Sequence, residues 1–179
     1  MQHNFLHNIF AETSNIIESL LDQCNRHRMQ TPGDGNCFFH AVSMQLKQTS
    51  HRFLRKAVAE ECVHFMAAMT KYRSAWIRSK RYPKDAKDYP TYISQDGVWA
   101  NSFDLSLMAS FLFNKTKNRL IVLDDRLSVL RVVKKPLLQP LKLCELVGQN
   151  KIEPAEVLHN DVVVLLSNNT HFTACVNNS

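Results

Sequence analysis

Apolar residues recur at helical spacing through the first two thirds of the chain. Between Ile9 and Arg28 they fall every three or four residues, at Ile16, Ile17, Leu20, Leu21 and Cys24. This spacing predicts an amphipathic helix that buries one face. The same argument predicts three further helices: one that begins near Cys37, one over Phe53–Met69, and one over Ser102–Phe113 with Asn101 or Ser102 as its N-cap.

The last third of the chain changes to short runs of aliphatic and β-branched residues. Leu120–Leu123 and Leu127–Val133 predict two strands joined as a hairpin. Val162–Leu166 is a continuous apolar run, typical of a strand buried on both faces, and Thr170–Val176 predicts a final strand. Helices followed by strands indicate an α+β fold, in which a small central β-sheet packs between helices.

The stretch Lys71–Val98 is the least regular part of the chain and contains two prolines and a glycine. It predicts an exposed loop with room for a short helix. No repeat, low-complexity tract or linker divides the chain, and 179 residues suit one domain. We therefore expect residues 1–179 to form a single domain, with residues 1–29 as an N-terminal helical extension.

The net charge of +6 gives little support to a nucleic-acid function. The basic residues are mostly scattered, and their densest group lies in the irregular loop, at Arg78, Lys80, Arg81, Lys84 and Lys87. We interpret that group as a solvated loop, because no longer basic stripe or recognisable nucleic-acid module accompanies it. The longest apolar runs are also too short to span a bilayer. We expect neither a nucleic-acid partner nor a membrane partner.

The cysteines and histidines indicate a reducing compartment and no metal. The five cysteines are odd in number, and no two form a Cys-x-x-Cys pair. Residues Met1–Phe10 lack the apolar core of a secretory signal. We therefore expect free thiols and an intracellular setting. The eight histidines are dispersed without metal-ligand spacing, so no metal or other cofactor is expected.

Cys37 is the candidate nucleophile, because it lies where a glycine-containing loop meets the start of a predicted helix. Two of the chain's 4 glycines, Gly33 and Gly35, flank Asp34 just before it. A helix start supplies free N–H groups and a positive dipole end, which stabilise a thiolate and an oxyanion. A buried structural thiol remains the alternative. The other cysteines lie in apolar segments and are predicted core residues: Cys24, Cys62, Cys144 and Cys175.

A nucleophilic cysteine needs a general base, and His171 is the preferred candidate among the histidines. It lies at the start of the last predicted strand, directly after a polar turn. An imidazole there can face a cleft while its backbone is held in a sheet. By contrast, His40 follows Cys37 by one helical turn, and its side chain is expected to point away from the mouth of the loop.

Three segments together resemble the ovarian tumour (OTU) family of cysteine proteases, most of which are deubiquitinases. Asp34–Ala41 resembles the nucleophile motif of that family. Val98–Ala109 resembles its Trp-Gly-x-x-x-Glu-Leu helix segment, and Thr170–Val176 resembles its terminal His-aromatic strand. The three occur in the family's order, and the resemblance runs from about Gln30 to Val176. It implies an OTU-like, papain-type fold with the motif-bearing core at about 30–176.

The resemblance also implies roles for particular residues. Cys37 would be the nucleophile and His171 the general base. Asp34 would shape the loop and contribute to the oxyanion site. Trp99 would line the narrow channel that receives the glycine tail of ubiquitin, although a core aromatic is an equally good interpretation of this residue.

The residue that orients His171 is left open by the sequence. The family often has Asn or Asp two residues after the histidine, on the same face of the strand, and this chain has Thr173 there. Asn169, two residues before His171, and Asp34 are the other candidates. Two smaller departures are Asp104 in place of the family's Glu and Ala100 in place of its Gly.

The function that the resemblance implies is hydrolysis of isopeptide bonds at the C-terminal glycine of ubiquitin, through a thioester on Cys37. The expected partners are ubiquitin or polyubiquitin chains, and the chain is expected to act as a monomer inside cells. If it is a secreted effector of an intracellular bacterium, the compartment would be the host cytoplasm. Two alternatives are a non-catalytic ubiquitin-binding module and a protease for another ubiquitin-like modifier.

Overall fold

The structure is a computed structural model that describes residues 15–68, 88–134, 150–168 and 170–178. Predictions for residues 9–14, for most of the irregular loop, and for Cys144 and Asn169 lie outside this range. The helices are residues 15–23 (α1), Cys37–Ser43 (α2), His51–Ala68 (α3), Tyr89–Ser94 (α4) and Ser102–Thr116 (α5). The strands are Arg26–Met29 (β1), Leu120–Asp124 (β2), Val129–Val133 (β3), Lys151–Ile152 (β4), Val162–Ser167 (β5) and His171–Asn177 (β6).

The strands form one six-stranded sheet in the order β1-β6-β5-β2-β3-β4. β2 and β5 are parallel, and every other neighbouring pair is antiparallel. The central strand β5 is buried from Val162 to Leu165, which accounts for its unbroken apolar sequence. β6 lies beside it, so the sheet carries His171 at the end of a well-packed strand.

Apolar side chains cover both faces of the sheet, so the predicted α+β fold with a sheet between helices is confirmed. On one face, buried residues of α2 to α5 pack with the strands, including Phe38, Leu54 and Met108. On the other face, Ile17 and Leu21 of α1 pack against the sheet. Among the described helices, none is long and apolar enough to cross a membrane.

The predicted helices that begin near residues 37, 53 and 102 are confirmed, as are the hairpin and the last two strands. The predicted helix Ile9–Arg28 is wrong at its C-terminal end. Asn25 adopts a left-handed conformation with φ 55°, and Arg26–Met29 form the edge strand β1. The buried Arg26 guanidinium donates to the carbonyl oxygens of Cys175 and Asp161, each at 2.8 Å. These contacts with distant segments override the local helical pattern.

A buried polar cluster fixes the start of α5. Asn101, one of the two predicted N-caps, accepts hydrogen bonds from the N–H groups of Phe103 and Asp104, and Asp104 accepts from the Asn101 N–H. The Tyr89 hydroxyl donates to the Asp104 carboxylate at 2.8 Å. Burial raises the pKa of Asp104 to about 6, although the hydrogen bonds from Asn101 and Tyr89 oppose this rise. The cluster joins α4 to α5 beside the segment that carries Trp99.

We predict that Asp104 makes the chain less stable as the pH rises from about 4 to about 6. The folded state holds the Asp104 proton in this window while the unfolded state, with an ordinary Asp, has released it. Urea unfolding of wild type and Asp104→Asn should therefore diverge in favour of the variant as the pH rises. The relative shift is at most about 3 kcal/mol, equivalent to about two pKa units. A difference in stability that is constant from pH 4 to 7 would contradict the prediction.

Candidate functional site

Cys37 is the first residue of α2 and lies close to the start of β6. Its side chain is buried, and its Sγ is 4.0 Å from the carbonyl oxygen of Thr170, the residue before His171. The rings of Phe38 and Phe172 pack edge to face at 5.1 Å. This pair holds α2 against β6, and the contact of Cys37 with Thr170 joins segments that are 133 residues apart in sequence.

The loop before Cys37 packs tightly against a second loop, residues 95–101, which joins α4 to α5. The contact between the two loops requires glycine. Gly35 has φ +78°, and a Cβ built on it would lie 1.9 Å from the carbonyl oxygen of Gly97. Only glycine tolerates both the left-handed conformation and this approach. A Cβ placed on Gly33, by contrast, would have no atom within 4 Å, and Gly33 needs no special conformation. The predicted special turn therefore depends on Gly35.

The buried guanidinium of Arg55, on α3, holds the two loops together. Its Nη2 donates to the carbonyl oxygens of Gly35, at 3.0 Å, and of Val98. Its Nη1 donates to the carbonyl oxygen of Ile93 at 2.9 Å, at the end of α4. Arg55 also lies 4.3 Å above the centre of the Phe39 ring, a favourable position for a cation. Sequence reasoning missed this residue, since a lone arginine within an amphipathic helix carries no local signal of burial.

The side chain of Asn36 is the fourth partner of Arg55 and also contacts the second loop. Its Oδ1 accepts from Arg55 Nε at 2.7 Å and from the Gly97 N–H at 3.0 Å. Asn36 occupies the N-cap position of α2 but makes no side-chain capping bond. The N–H groups of the first turn, which begins at Cys37, are therefore not used by the residue that would ordinarily cap them.

Asp34 shapes the loop through its own backbone. Its Oδ1 accepts from the Asn36 N–H at 2.9 Å, which closes an Asx-type turn. Desolvation acts to raise the pKa of Asp34, but the hydrogen bonds from Asn36 and the nearby His40 keep it below the ordinary value. Asp34 therefore remains a carboxylate at neutral pH.

His40 lies next to the side chain of Asp34, in the loop before Cys37. Its Nε2 lies 3.5 Å from Asp34 Oδ2, and its ring contacts that of His51 at a tilt of 41°, with centroids 4.1 Å apart. His51 in turn lies 3.5 Å from Asp96, in the loop that carries Gly97. Burial, and then the neighbouring His40, lower the pKa of His51. These contacts join the His40 ring to Asp34 and His51, and its direction relative to the mouth of the loop stays a prediction.

His171 is half-buried at the first position of β6, and its ring contacts a residue that sequence reasoning did not consider. Its Nε2 lies 3.4 Å from the hydroxyl oxygen of Thr31. Thr173 is buried two residues later, and within the described residues no hydrogen bond joins its side chain to His171. Asp34 bonds instead to Asn36 and His40. Asn169 lies outside the described range.

Trp99 is 52% exposed in the segment between α4 and α5. It follows Val98, whose carbonyl oxygen is held by Arg55, and it is two residues from Gly97. This exposure argues against the core interpretation of Trp99. It leaves an indole on the surface next to the loop that contacts Gly35.

The other described cysteines differ from Cys37 in position. Cys62 and Cys175 are fully buried, as predicted, and burial raises the pKa of each thiol to about 12. Cys24 is only partly buried at the C-terminal end of the α1 region, and burial raises its pKa as well. Within the described residues, no group of His, Cys, Asp and Glu is arranged to hold a metal ion.

A family model and a curated relative both match this chain to proteins with an OTU domain. A family model described as OTU-like cysteine protease matches residues 32–172, a range that includes Cys37 and His171. The Mus musculus protein named OTU domain-containing protein 1 is 32% identical over 97 residues, which cover 53% of this chain and 19% of that protein. The chain therefore spans about a fifth of the length of this relative.

Two solved structures share the fold. The OTU domain of OTUD1 has a TM-score of 0.58 at 19% identity, covering 92% of this chain and 94% of that one. An OTU deubiquitinase from Wolbachia pipientis wMel bound to ubiquitin has a TM-score of 0.57 at 17% identity, covering 86% and 96%. At these identities the likeness shows the fold alone.

We predict that Gly35→Ala destabilises the chain by about 2 kcal/mol or more, because the residue must adopt a left-handed conformation against a backbone oxygen. Gly33→Ala is the matched control in the same loop. Since its site is open, it should be neutral or stabilising by up to about 1 kcal/mol. Urea unfolding of both variants measures the difference, and equal effects would argue against the close contact with Gly97.

We predict that Arg55→Lys lowers the free energy of unfolding by about 3 kcal/mol or more. A lysine keeps the charge but cannot reach all four oxygens, and each buried acceptor left without a donor costs about 1–3 kcal/mol. Arg52→Lys, on the same helix with a side chain 75% exposed, is the control and should change stability by less than about 0.5 kcal/mol. Similar melting temperatures for the two variants would contradict the structural role of Arg55.

Proposed function

Because the chain belongs to the OTU-like cysteine protease family, we propose that it is a deubiquitinase in which Cys37 is the nucleophile and His171 the general base. One observation carries this proposal: Cys37 begins a helix that packs against the start of the strand bearing His171. The similar structure described as a Wolbachia deubiquitinase bound to ubiquitin supports the choice of substrate. We also propose that the whole chain acts as one catalytic domain.

The proposed reaction is acyl transfer through a thioester. The Cys37 thiolate attacks the carbonyl carbon of the last glycine of ubiquitin, and the electron pair of the C=O bond moves to the oxygen. When this intermediate collapses, the C–N bond to the lysine amine breaks and the amine takes a proton from His171. A water molecule then gives a proton to His171 and attacks the thioester. Ubiquitin leaves with a free carboxylate, and the thiolate is restored.

Stabilisation of the oxyanion is assigned to backbone N–H groups at the start of α2. Asn36 does not cap this helix, since its side chain is committed to Arg55 and Gly97. N–H groups held in place before the reaction lower the energy of a developing oxyanion, and one such donor is worth about 3 kcal/mol. Asp34 supports this arrangement indirectly, by holding the Asn36 N–H in the turn.

Trp99 is proposed to line the channel for the extended C-terminal tail of ubiquitin. It is half-exposed and lies on the segment that Arg55 fixes next to the Cys37 loop. A flat indole beside the nucleophile restricts the channel to residues without side chains, which suits a tail that ends in glycine. The substrate-binding role expected for Trp99 therefore stays part of the proposal.

The proposal requires one chain and ubiquitin, with no cofactor, nucleic acid or membrane. The candidate nucleophile, base and loop residues all come from one chain, so a monomer suffices. A reducing intracellular compartment would keep Cys37 as a free thiol. The linkage of the ubiquitin chain would be selected by surfaces beyond this site.

We predict that ubiquitin carrying a C-terminal electrophile forms one covalent adduct with the wild-type chain, and that Cys37→Ala abolishes it. Intact-mass measurement detects the adduct. Cys24→Ala is the matched control, because Cys24 is more exposed than Cys37 and its removal should still leave the adduct intact. His171→Gln should lower kcat on a ubiquitin–lysine isopeptide substrate by about 10²- to 10⁴-fold.

Other outcomes of this experiment would contradict the proposed nucleophile, substrate or activity. An adduct that persists in Cys37→Ala would show that another thiol reacts. Reaction only with a probe made from a different ubiquitin-like modifier would identify a protease for that modifier. Ubiquitin binding with neither adduct nor turnover would identify a binding module.

A further inference from the structure

Thr31 lies next to His171 because it continues the edge strand beyond its last paired residue. β1 pairs with β6 from Arg26 opposite Asn177 to Met29 opposite Ala174. Two further steps of this register bring residue 31 opposite Phe172. Thr31 precedes Pro32, and a residue before proline favours extended backbone. The side chain of Thr31 is buried in this position, with 8% of its surface exposed.

The Thr31 hydroxyl makes two contacts with the start of β6. It donates a hydrogen bond to the carbonyl oxygen of Phe172, and its oxygen lies 3.4 Å from His171 Nε2. A hydroxyl has a single proton and two acceptor lone pairs. Because the proton is used on Phe172, the oxygen can only accept a hydrogen bond from the His171 ring. The ring proton is therefore favoured on Nε2.

The other candidates for this role do not contact the ring within the described residues. Thr173 makes no hydrogen bond to His171, although it occupies the position where the family resemblance placed the orienting residue. The Asp34 carboxylate instead accepts from the Asn36 N–H and contacts His40. Of the candidates within the described residues, Thr31 is the one whose side-chain oxygen contacts the His171 ring.

We propose that Thr31 is the positioning residue for His171. By accepting the Nε2 proton, it holds the imidazole in one tautomer and leaves Nδ1 as the basic atom that takes the proton of the Cys37 thiol. The bond to Phe172 fixes the backbone next to His171 at the same time. The 3.4 Å contact is long for a hydrogen bond, as catalytic contacts often are in free enzymes. This inference rests on the proposed cysteine-hydrolase function.

Three variants separate positioning from a purely structural role. Thr31→Val removes the hydroxyl at nearly constant volume, and Thr31→Ser keeps it. Thr116→Val is the matched control, because the Thr116 hydroxyl also donates to a backbone carbonyl, that of Leu112 at 2.8 Å, on α5. For the ubiquitin–lysine substrate, we expect Thr31→Val to lower kcat about tenfold to 100-fold, in the range found for residues that orient a functional histidine. KM should be unchanged, and Thr31→Ser should restore most of kcat.

A measurement on the free chain tests the inference without ubiquitin. Long-range ¹H–¹⁵N spectra, with His171 assigned by comparison with His171→Gln, should show the Nε2–H tautomer in wild type, Thr31→Ser and Thr116→Val. Thr31→Val should show a mixture of tautomers, and alkylation of Cys37 by iodoacetamide should slow together with kcat. These readouts report on Thr31 even if the ubiquitin probe fails to react.

The outcomes distinguish a failure of the positioning role of Thr31 from a failure of ubiquitin as the substrate. An Nδ1–H tautomer in wild type would overturn the role of Thr31, whether or not Thr31→Val folds. An unchanged kcat in a folded Thr31→Val, or the same losses in Thr173→Val instead, would also overturn it. Failure of the wild type to react with a ubiquitin probe, while Thr31→Val changes the tautomer and the alkylation rate, would reject ubiquitin as substrate and leave the positioning role intact.

Discussion

One buried guanidinium, that of Arg55, holds together the segments that surround Cys37. It binds four neutral oxygens, from the Cys37 loop, the end of α4 and the loop before Trp99. No carboxylate forms an ion pair with it among the described residues. A buried cation is stable only when its N–H donors have acceptors. The need of Arg55 for these acceptors therefore fixes the two loops as much as their own sequences do.

This arrangement explains why several nearby residues depend on one another. Arg55 and the Gly97 N–H both donate to Asn36 Oδ1, and Asn36 therefore does not cap the start of α2. The approach of Gly35 to Gly97 follows from the same contacts and requires the smallest residue. For the proposed reaction, N–H groups held in a fixed loop meet the condition for effective electrostatic stabilisation of an oxyanion. The stability of this region and the function proposed for it therefore rest on one set of bonds.

Much of the fold could be predicted from local patterns. The helices that begin near residues 37, 53 and 102 and the strands β2, β5 and β6 follow from periodicity, because each buries one face or both faces against neighbours along its whole length. The N-cap at Asn101 follows from a side chain that bonds within three residues. The choice of Cys37 depended on both the helix start and the family resemblance. The edge strand β1 was not predicted, because the conformation of this segment depends on the distant partners of Arg26.

The sequence by itself determined the class of fold, the order of most elements, and the candidate pair Cys37 and His171. These depend on local spacing and on motifs whose residues are close in sequence. The tertiary structure alone decided that β1 pairs with β6, that Thr31 faces His171, and that Arg55 joins the loops. Thr31 and His171 are separated by 140 residues. A strand pairing over such a distance is set by the register of the whole sheet, and no local pattern around either residue records it.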